Sequence, residues 1–382
     1  MRKRILLRIV SDILIMKEEK YTEKLQETRM LKLQKIIKNL PSACQDYIRS
    51  ISTTTSDLTR IAYAMDYEIF FDFACKEIPR FSQKKTYEFS DDDIASFTAK
   101  EFDIYIDYLK LYYKDDDISK DVSKKYKNKE SGIMRKLSSL RSLFGYLFRM
   151  GRIPGNTAEL VPLPKLPSKP ILYMENSEVE TMMDIILNGT GLSDKQKDFN
   201  KINSIRDYAI VMLFLGTGMR ISELIGINLD DLDLNINAVL ITRKGGNSEI
   251  LYFPDQVAKA LSDYIELRSN LDIQDGHENA LFLSLQRKRI SARAVQNLVK
   301  KYATLAAPLK KRLSPHKLRS TYATNLYQNT GDIYLVADAL GHSDVNTTRK
   351  HYAAMSDEHR RQAAEFINLP KIDTSNTSNS NE

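Results

Sequence analysis

Five of the chain's eleven prolines fall within residues 151–170, at Pro154, Pro162, Pro164, Pro167 and Pro170. A proline ring removes a backbone donor and fixes φ, so neither a helix nor a central strand can run through this stretch. It reads as an extended linker that divides the chain. Within 382 residues, each side is long enough for a core of its own. The expected organisation is a charged helical leader over 1–40, a helical domain over 41–152, the linker over 153–170 and a second domain over 171–369. A tail over 370–382, rich in Ser, Asn and Thr, cannot build a core and is expected to be disordered.

The first half carries helical patterning. In the leader, Ile5, Leu6, Ile9, Ile13 and Leu14 supply the apolar positions. Residues 55–77 follow Ser/Thr/Asp cap candidates and carry Tyr63, Ile69, Phe70, Phe71 and Phe73. Residues 91–113 open with three aspartates, which suit the positive end of a helix dipole, and present Ile94, Phe97, Phe102, Ile106 and Leu109. Residues 78–90 read as a loop, and the charged stretch 114–130 reads as a solvated connector in preference to a DNA contact. Residues 131–150 form a further helix, whose Arg135, Lys136 and Arg141 fit a phosphate-contacting or a solvated face equally well.

Net charge is +7, which favours a polyanionic partner. Most of the excess sits in residues 1–40, with eleven Lys/Arg against five Asp/Glu. Two cysteines, Cys44 and Cys75, give neither a disulfide framework nor a metal spacing, and fit a reducing cytoplasm. No apolar run reaches the roughly 20 residues of a membrane span, so no membrane insertion is expected. The basic-then-apolar start lacks a small-residue cleavage site and is not read as a signal peptide.

The second half holds the chemistry. Residues 205–215 form an apolar helix, and the glycines of Gly216-Thr-Gly-Met-Arg220 are expected to break it. Arg220 then stands at the next helix start, offering a fork to phosphate oxygens or pairing with Glu223. Strands over 239–242 and 249–253 flank Arg243-Lys-Gly-Gly-Asn-Ser, a hairpin signature that puts Lys244 at the turn. Ser314 and Pro315 open a helix on which His316 and Arg319, three residues apart, share a face. Gly341 ends one helix, Ser343 and Asp344 cap another, and that one carries Tyr352. Of Arg220, Lys244, His316, Arg319, His342 and Tyr352, the first five can donate to a phosphate and the sixth can attack it. The set suits phosphoryl transfer through a covalent tyrosine intermediate, with no metal or other cofactor needed.

The order Arg, Lys, His-x-x-Arg, Gly-His and Tyr resembles the tyrosine recombinase (phage integrase) family across the whole second domain. The helical module before the linker looks like that family's core-binding domain. The resemblance implies a mainly α fold with a small β-sheet: a two-domain DNA clamp made of a helical core-binding domain and a mixed α/β catalytic domain. Within the family the chain looks most like the single-protein Xer type, the XerS-like branch, on its leader, on Leu40-Pro-Ser-Ala-Cys-Gln-Asp-Tyr and on Thr242-Arg-Lys-Gly-Gly.

By that resemblance, Tyr352 attacks a phosphodiester and forms a 3′-phosphotyrosyl bond. Arg220 and Arg319 clamp the non-bridging oxygens, Lys244 protonates the departing 5′ oxygen, His316 accepts a proton and His342 supports the phosphate. The implied partners are a double-stranded DNA recombination site, three further copies in a homotetramer on synapsed DNA, and a regulatory protein. The implied setting is a cytoplasmic, nucleoid-associated role in chromosome dimer resolution. Residues 356–369 are then an exchange element docking on a neighbour, or an intrachain packing helix. Three departures stand out: Ser320 where many members carry His, ten residues from His342 to Tyr352 where nine is commoner, and the charged stretch 114–130. A mobile-element integrase or excisionase, a type IB topoisomerase and a DNA-binding protein with a decayed site are the competing readings.

Overall fold

The structure, a computed structural model, describes residues 26–114, 124–166, 171–243, 246–310, 313–341 and 345–346. The chain divides into two compact units with the boundary between Ser168 and Lys169. Both units are mainly helical, with a two-stranded ribbon in the first and a three-stranded sheet in the second. No helix among the described residues is long and apolar enough to cross a membrane.

In the first unit, residues 26–37 are helical and are followed by α1 (Ser42–Ser50), α2 (Asp57–Glu77), α3 (Asp91–Ala95), α4 (Ala99–Lys110) and α5 (Glu130–Arg149). Ser56 caps α2 by accepting from the Thr59 amide. The core is aromatic: Phe70 stacks on Phe102 with centroids 5.5 Å apart and meets Phe97 at 4.9 Å, Tyr105 at 5.1 Å and Phe144 at 6.5 Å. All five of these rings are buried.

Three expectations change here. The helix expected over 91–113 is broken, because Ser96 ends α3 and Thr98 starts α4 through a capping box with Glu101. Arg80 ties the break together by donating to the Ser96 carbonyl and to Glu101. The stretch 78–90 contains two short 3₁₀ turns, Pro79–Phe81 and Thr86–Glu88. The connector 114–130 is flanked by an antiparallel pair, β1 (Tyr112–Lys114) with β2 (Lys124–Tyr126), in which Tyr112 and Tyr126 stack at 5.4 Å. Residues 115–123 lie outside the described residues.

Each of Arg135, Lys136 and Arg141 on α5 has a partner within the unit, Arg135 while its side chain stays half-exposed. Arg135 forms a two-point bond to the buried carboxylate of Asp66, at 2.6 and 2.7 Å. Burial pushes the Asp66 carboxyl above its usual value, against the opposing pull of Arg135. Lys136 is buried, donates to Asn128 and has its pKa pulled down by that burial. Arg141 donates to the carbonyls of Ala158, Glu159 and Val161 and so closes the end of the unit.

The second unit comprises α6 (Asn176–Asn188), α7 (Asp194–Thr217), α8 (Ile221–Gly226), a meander of β3 (Leu232–Asp233), β4 (Ala238–Thr242) and β5 (Ser248–Tyr252), then α9 (Asp255–Ser269), α10 (Ala292–Ala306), α11 (Pro315–Thr330) and α12 (Ile333–Ala339). Its core gathers α7, the sheet and α9–α11 around Phe214, Val239, Leu261, Tyr264, Val299 and Tyr302. Helix α7 runs further than the expected 205–215. Gly216 lies inside it, where an added Cβ would come 2.6 Å from Val257, so that glycine serves packing and only Gly218 ends the helix. Replacing Phe70 by Ala in the first unit removes a ring from a closed aromatic core and is expected to cost about 3–5 kcal/mol. Denaturant unfolding followed through that unit measures this, and a loss below about 1 kcal/mol would contradict the packing described.

Candidate active site

The site begins where α7 stops. Gly218 takes φ +64°, a left-handed cap that favours glycine, and an added Cβ would lie 2.2 Å from the Tyr322 ring. The chain re-enters helix at once, with Arg220 as the N-cap of α8. Glu223 organises this start: one carboxylate oxygen accepts from the Arg220 amide at 2.6 Å, the other from Arg220 Nη1 at 2.9 Å. Glu223 is buried while the Arg220 side chain is 35% exposed, so a buried anion holds a cation that still faces solvent. The expected helix-start pairing of Arg220 with Glu223 is present, and the arginine side chain keeps part of its surface exposed. A guanidinium has five N–H donors; Glu223 engages one of Arg220's and the Gly341 carbonyl another.

Arg319 arrives from α11, whose first turn carries Pro315 at the position expected; Ser314 is the N-cap residue but makes no side-chain cap bond. Arg319 is buried and donates through Nη1 to the Gly218 carbonyl at 2.6 Å and through Nη2 to the Leu340 carbonyl. His316, one turn earlier, is exposed. The two residues share a helix face as expected, but Arg319 reaches inward while His316 stands at the surface.

The Leu340–Gly341 turn closes the described site. Gly341 takes φ +57° after α12, and its carbonyl accepts from Arg220 Nη2 at 3.3 Å. Leu340 also accepts from Arg243 Nη1 at 3.0 Å. Arg243 is buried at the end of β4 and forms a two-point bond to Glu249 on β5, at 2.5 and 2.6 Å. Three guanidinium groups therefore converge on one turn. Arg243, and Arg220 and Arg319 more distantly, hold the Glu249 carboxyl below its usual range.

The hairpin forms close to its expected limits, with Ile241 opposite Glu249 and Gly246 at φ +89° in the turn. Lys244, His342 and Tyr352 lie outside the described residues, as do Gly245, Ser343 and Asp344. The structure thus brings Arg220 and Arg319 together and puts His316 on the same helix as Arg319. Arg243 was missed as a site residue, although Val239, Ile241 and Arg243 fall on one side of the strand's two-residue period.

The Glu249 carboxyl has a lowered pKa in the folded protein, so its pairing contributes stability above the unfolded value of about 4.3. That contribution is lost as pH falls through the folded value. Glu249→Gln removes the titrating group, and the drop in thermal midpoint between about pH 5 and pH 3 should become shallower than in the unaltered protein. Parallel pH curves for the two proteins would argue against the ion pair.

Comparison with known proteins agrees with this architecture. The model of the phage integrase family matches residues 173–359. The tyrosine recombinase XerC of Caldanaerobacter subterraneus subsp. tengcongensis is 32% identical over 330 residues, which cover 85% of this chain and 86% of that protein. The tyrosine recombinase XerD of Staphylococcus saprophyticus is 31% identical over 234 residues, covering 61% and 75%. Among solved structures, the XerH site-specific recombinase bound to a palindromic difH substrate in a post-cleavage complex superposes with a TM-score of 0.61, at 17% identity and 89% coverage of both chains. The Tn1549 transposon integrase in complex with circular intermediate DNA gives 0.58, at 22% identity, covering 85% of this chain and 99% of that one. With its mainly helical units, small antiparallel sheet and clustered arginines, this chain belongs to the phage integrase family of tyrosine recombinases.

Proposed function

We propose that this tyrosine recombinase, an enzyme that breaks and rejoins DNA at specific sites, acts in Xer-like chromosome dimer resolution with Tyr352 as its nucleophile. Support for the site comes from one observation: Arg220 and Arg319 converge on the Leu340–Gly341 turn, and the chain passes from that turn through His342 to Tyr352.

In this reading the Tyr352 oxygen attacks the scissile phosphorus. The phosphorus–oxygen bond to the 5′ carbon breaks, leaving a 3′-phosphotyrosyl link and a 5′-hydroxyl. His316, exposed at the start of α11, takes the phenol proton, and Lys244 supplies a proton to the departing oxygen. Arg220 and Arg319 meet the charge that builds on the non-bridging oxygens, and His342 adds a donor. The phosphodiester energy is kept in the covalent link, so the 5′-hydroxyl of a partner strand reverses the step without ATP. Four cleavages on two duplexes call for a homotetramer, and timing them calls for a regulatory partner. The proposed setting is the cytoplasm, on the nucleoid. The XerS-like assignment belongs to the same proposal and rests on the leader and on Thr242-Arg-Lys-Gly-Gly.

The test is a nicked duplex that traps the intermediate, prepared with candidate sites from the protein's own genome. A covalent adduct mapping to Tyr352 is expected, together with its complete loss in Tyr352→Phe. Arg220→Ala should retain duplex binding while adduct formation slows by ~10²–10³. Recombination at full rate by Tyr352→Phe would remove Tyr352 as the nucleophile.

A further inference from the structure

Arg243 is not among the six groups assigned above, yet its side chain joins three elements of the site. Nε and Nη2 bind Glu249 across the hairpin, and Nη1 donates to the Leu340 carbonyl that also accepts from Arg319. The same Nη1 lies 3.7 Å from Glu223 Oε1, the oxygen paired with Arg220. The Gly341 backbone rests on the guanidinium, since a Cβ there would come 2.4 Å from Arg243 Cζ. Its main chain closes the hairpin base, the amide donating to Asn247 at 2.7 Å and the carbonyl accepting from Gly246 at 3.1 Å.

All three guanidinium nitrogens of Arg243 donate to protein oxygens, and two of them go to the Glu249 carboxylate, which already supplies the bidentate anion that a phosphate would otherwise offer. What it controls is the placement of others. Glu223 holds Arg220 from one side and the Gly341 carbonyl holds it from the other, and Arg243 lies against both. Leu340 holds Arg319, and Arg243 shares that carbonyl. A planar fork can serve Glu249 and Leu340 at once, whereas a lysine ammonium keeps the charge without that geometry.

We propose that Arg243 is a positioning residue for strand cleavage: it fixes Glu223 and the Leu340–Gly341 turn, and so sets the aim of Arg220 and Arg319 on the two non-bridging phosphate oxygens. The proposal rests on the recombinase reading above. It predicts an effect on the chemical step, because a misplacement of about 1 Å at a reacting centre costs ~10² in rate.

The experiment uses the nicked duplex bearing the site found by adduct trapping, with the scissile phosphate either unmodified or as one of its two phosphorothioate diastereomers. Single-turnover adduct formation is measured for the unaltered protein, Arg243→Gln and Arg243→Lys, alongside duplex binding. Arg243→Gln is expected to slow cleavage of the unmodified site about 100-fold with duplex affinity little changed. It should also move the rate ratio of the two diastereomers about tenfold, a fraction of the loss expected for deleting one donor outright. Arg243→Lys should lie between the two in both readouts. The ratio is taken within one preparation, so a loss of folded protein cancels from it. A lowered rate with an unmoved ratio would reduce Arg243 to structural support and overturn the proposal, as would an unchanged rate. No adduct with the unaltered protein on any substrate would bring down the recombinase reading and this inference together.

Discussion

The carbonyls of Leu340 and Gly341 accept from Arg319, Arg243 and Arg220, and the rest of the site is arranged so that they can. A carbonyl oxygen has two lone pairs, so a single turn can gather several forks without any carboxylate at the centre. For the turn to come this close, Gly341 must lack a side chain and take positive φ. The same two demands fall on Gly218, whose carbonyl receives the other end of Arg319 and whose α-carbon rests on Tyr322. Two glycines, 123 positions apart in sequence, thereby define a guanidinium-lined seat between α7 and α12.

Gathering cations carries an electrostatic cost. Two like charges about 4 Å apart repel by roughly 4 kcal/mol at the effective dielectric of a protein surface. Glu223 and Glu249 offset this, each paired at hydrogen-bond distance with one guanidinium. Among the described residues, the three arginines thus exceed their two paired carboxylates by one positive charge. Arg220 has the most exposed side chain of the three arginines, and in the proposed mechanism an incoming phosphate supplies the balancing negative charge. Donors held in place before the substrate arrives need little reorganisation as charge builds in the transition state.

What the sequence revealed depended on how local the cause was. The hairpin was legible because its glycines and flanking β-branched residues signal it within a dozen positions. The start of α8 was legible because Arg220 and Glu223 are one turn apart. The break at Ser96 was also written locally, as Thr98 followed three residues later by Glu101, but the apolar spacing through 94–109 masked it. The pairing of Arg135 was not legible, because its partner, Asp66, lies 69 residues away on another helix and no local pattern announces a buried carboxylate there. Arg243 stood beside a lysine with a more familiar role. Its strand parity with Val239 and Ile241 was the available signal, and an arginine at an inward position runs against the usual preference for apolar residues there. Individual helices and the hairpin followed from periodicity and turn residues, and the fold class from the family resemblance, whereas the gathering of Arg220, Arg243 and Arg319 depends on tertiary packing.

Several cations of the first unit are engaged by partners within that unit. Arg135, Lys136, Arg141 and Arg152 are bound within the first unit to Asp66, Asn128, backbone carbonyls, and Asp46 with Asp91. A cation already paired with a carboxylate displaces little of the counterion atmosphere when it nears a phosphate. In the sequence, the leader's eleven Lys/Arg and five Asp/Glu account for all but one of the seven net positive charges. The remainder of the chain is close to neutral, and the proposed phosphate recognition there rests on geometry as well as charge. In the proposed mechanism the Leu340–Gly341 turn supplies that geometry, because its two carbonyls hold three guanidinium forks in place.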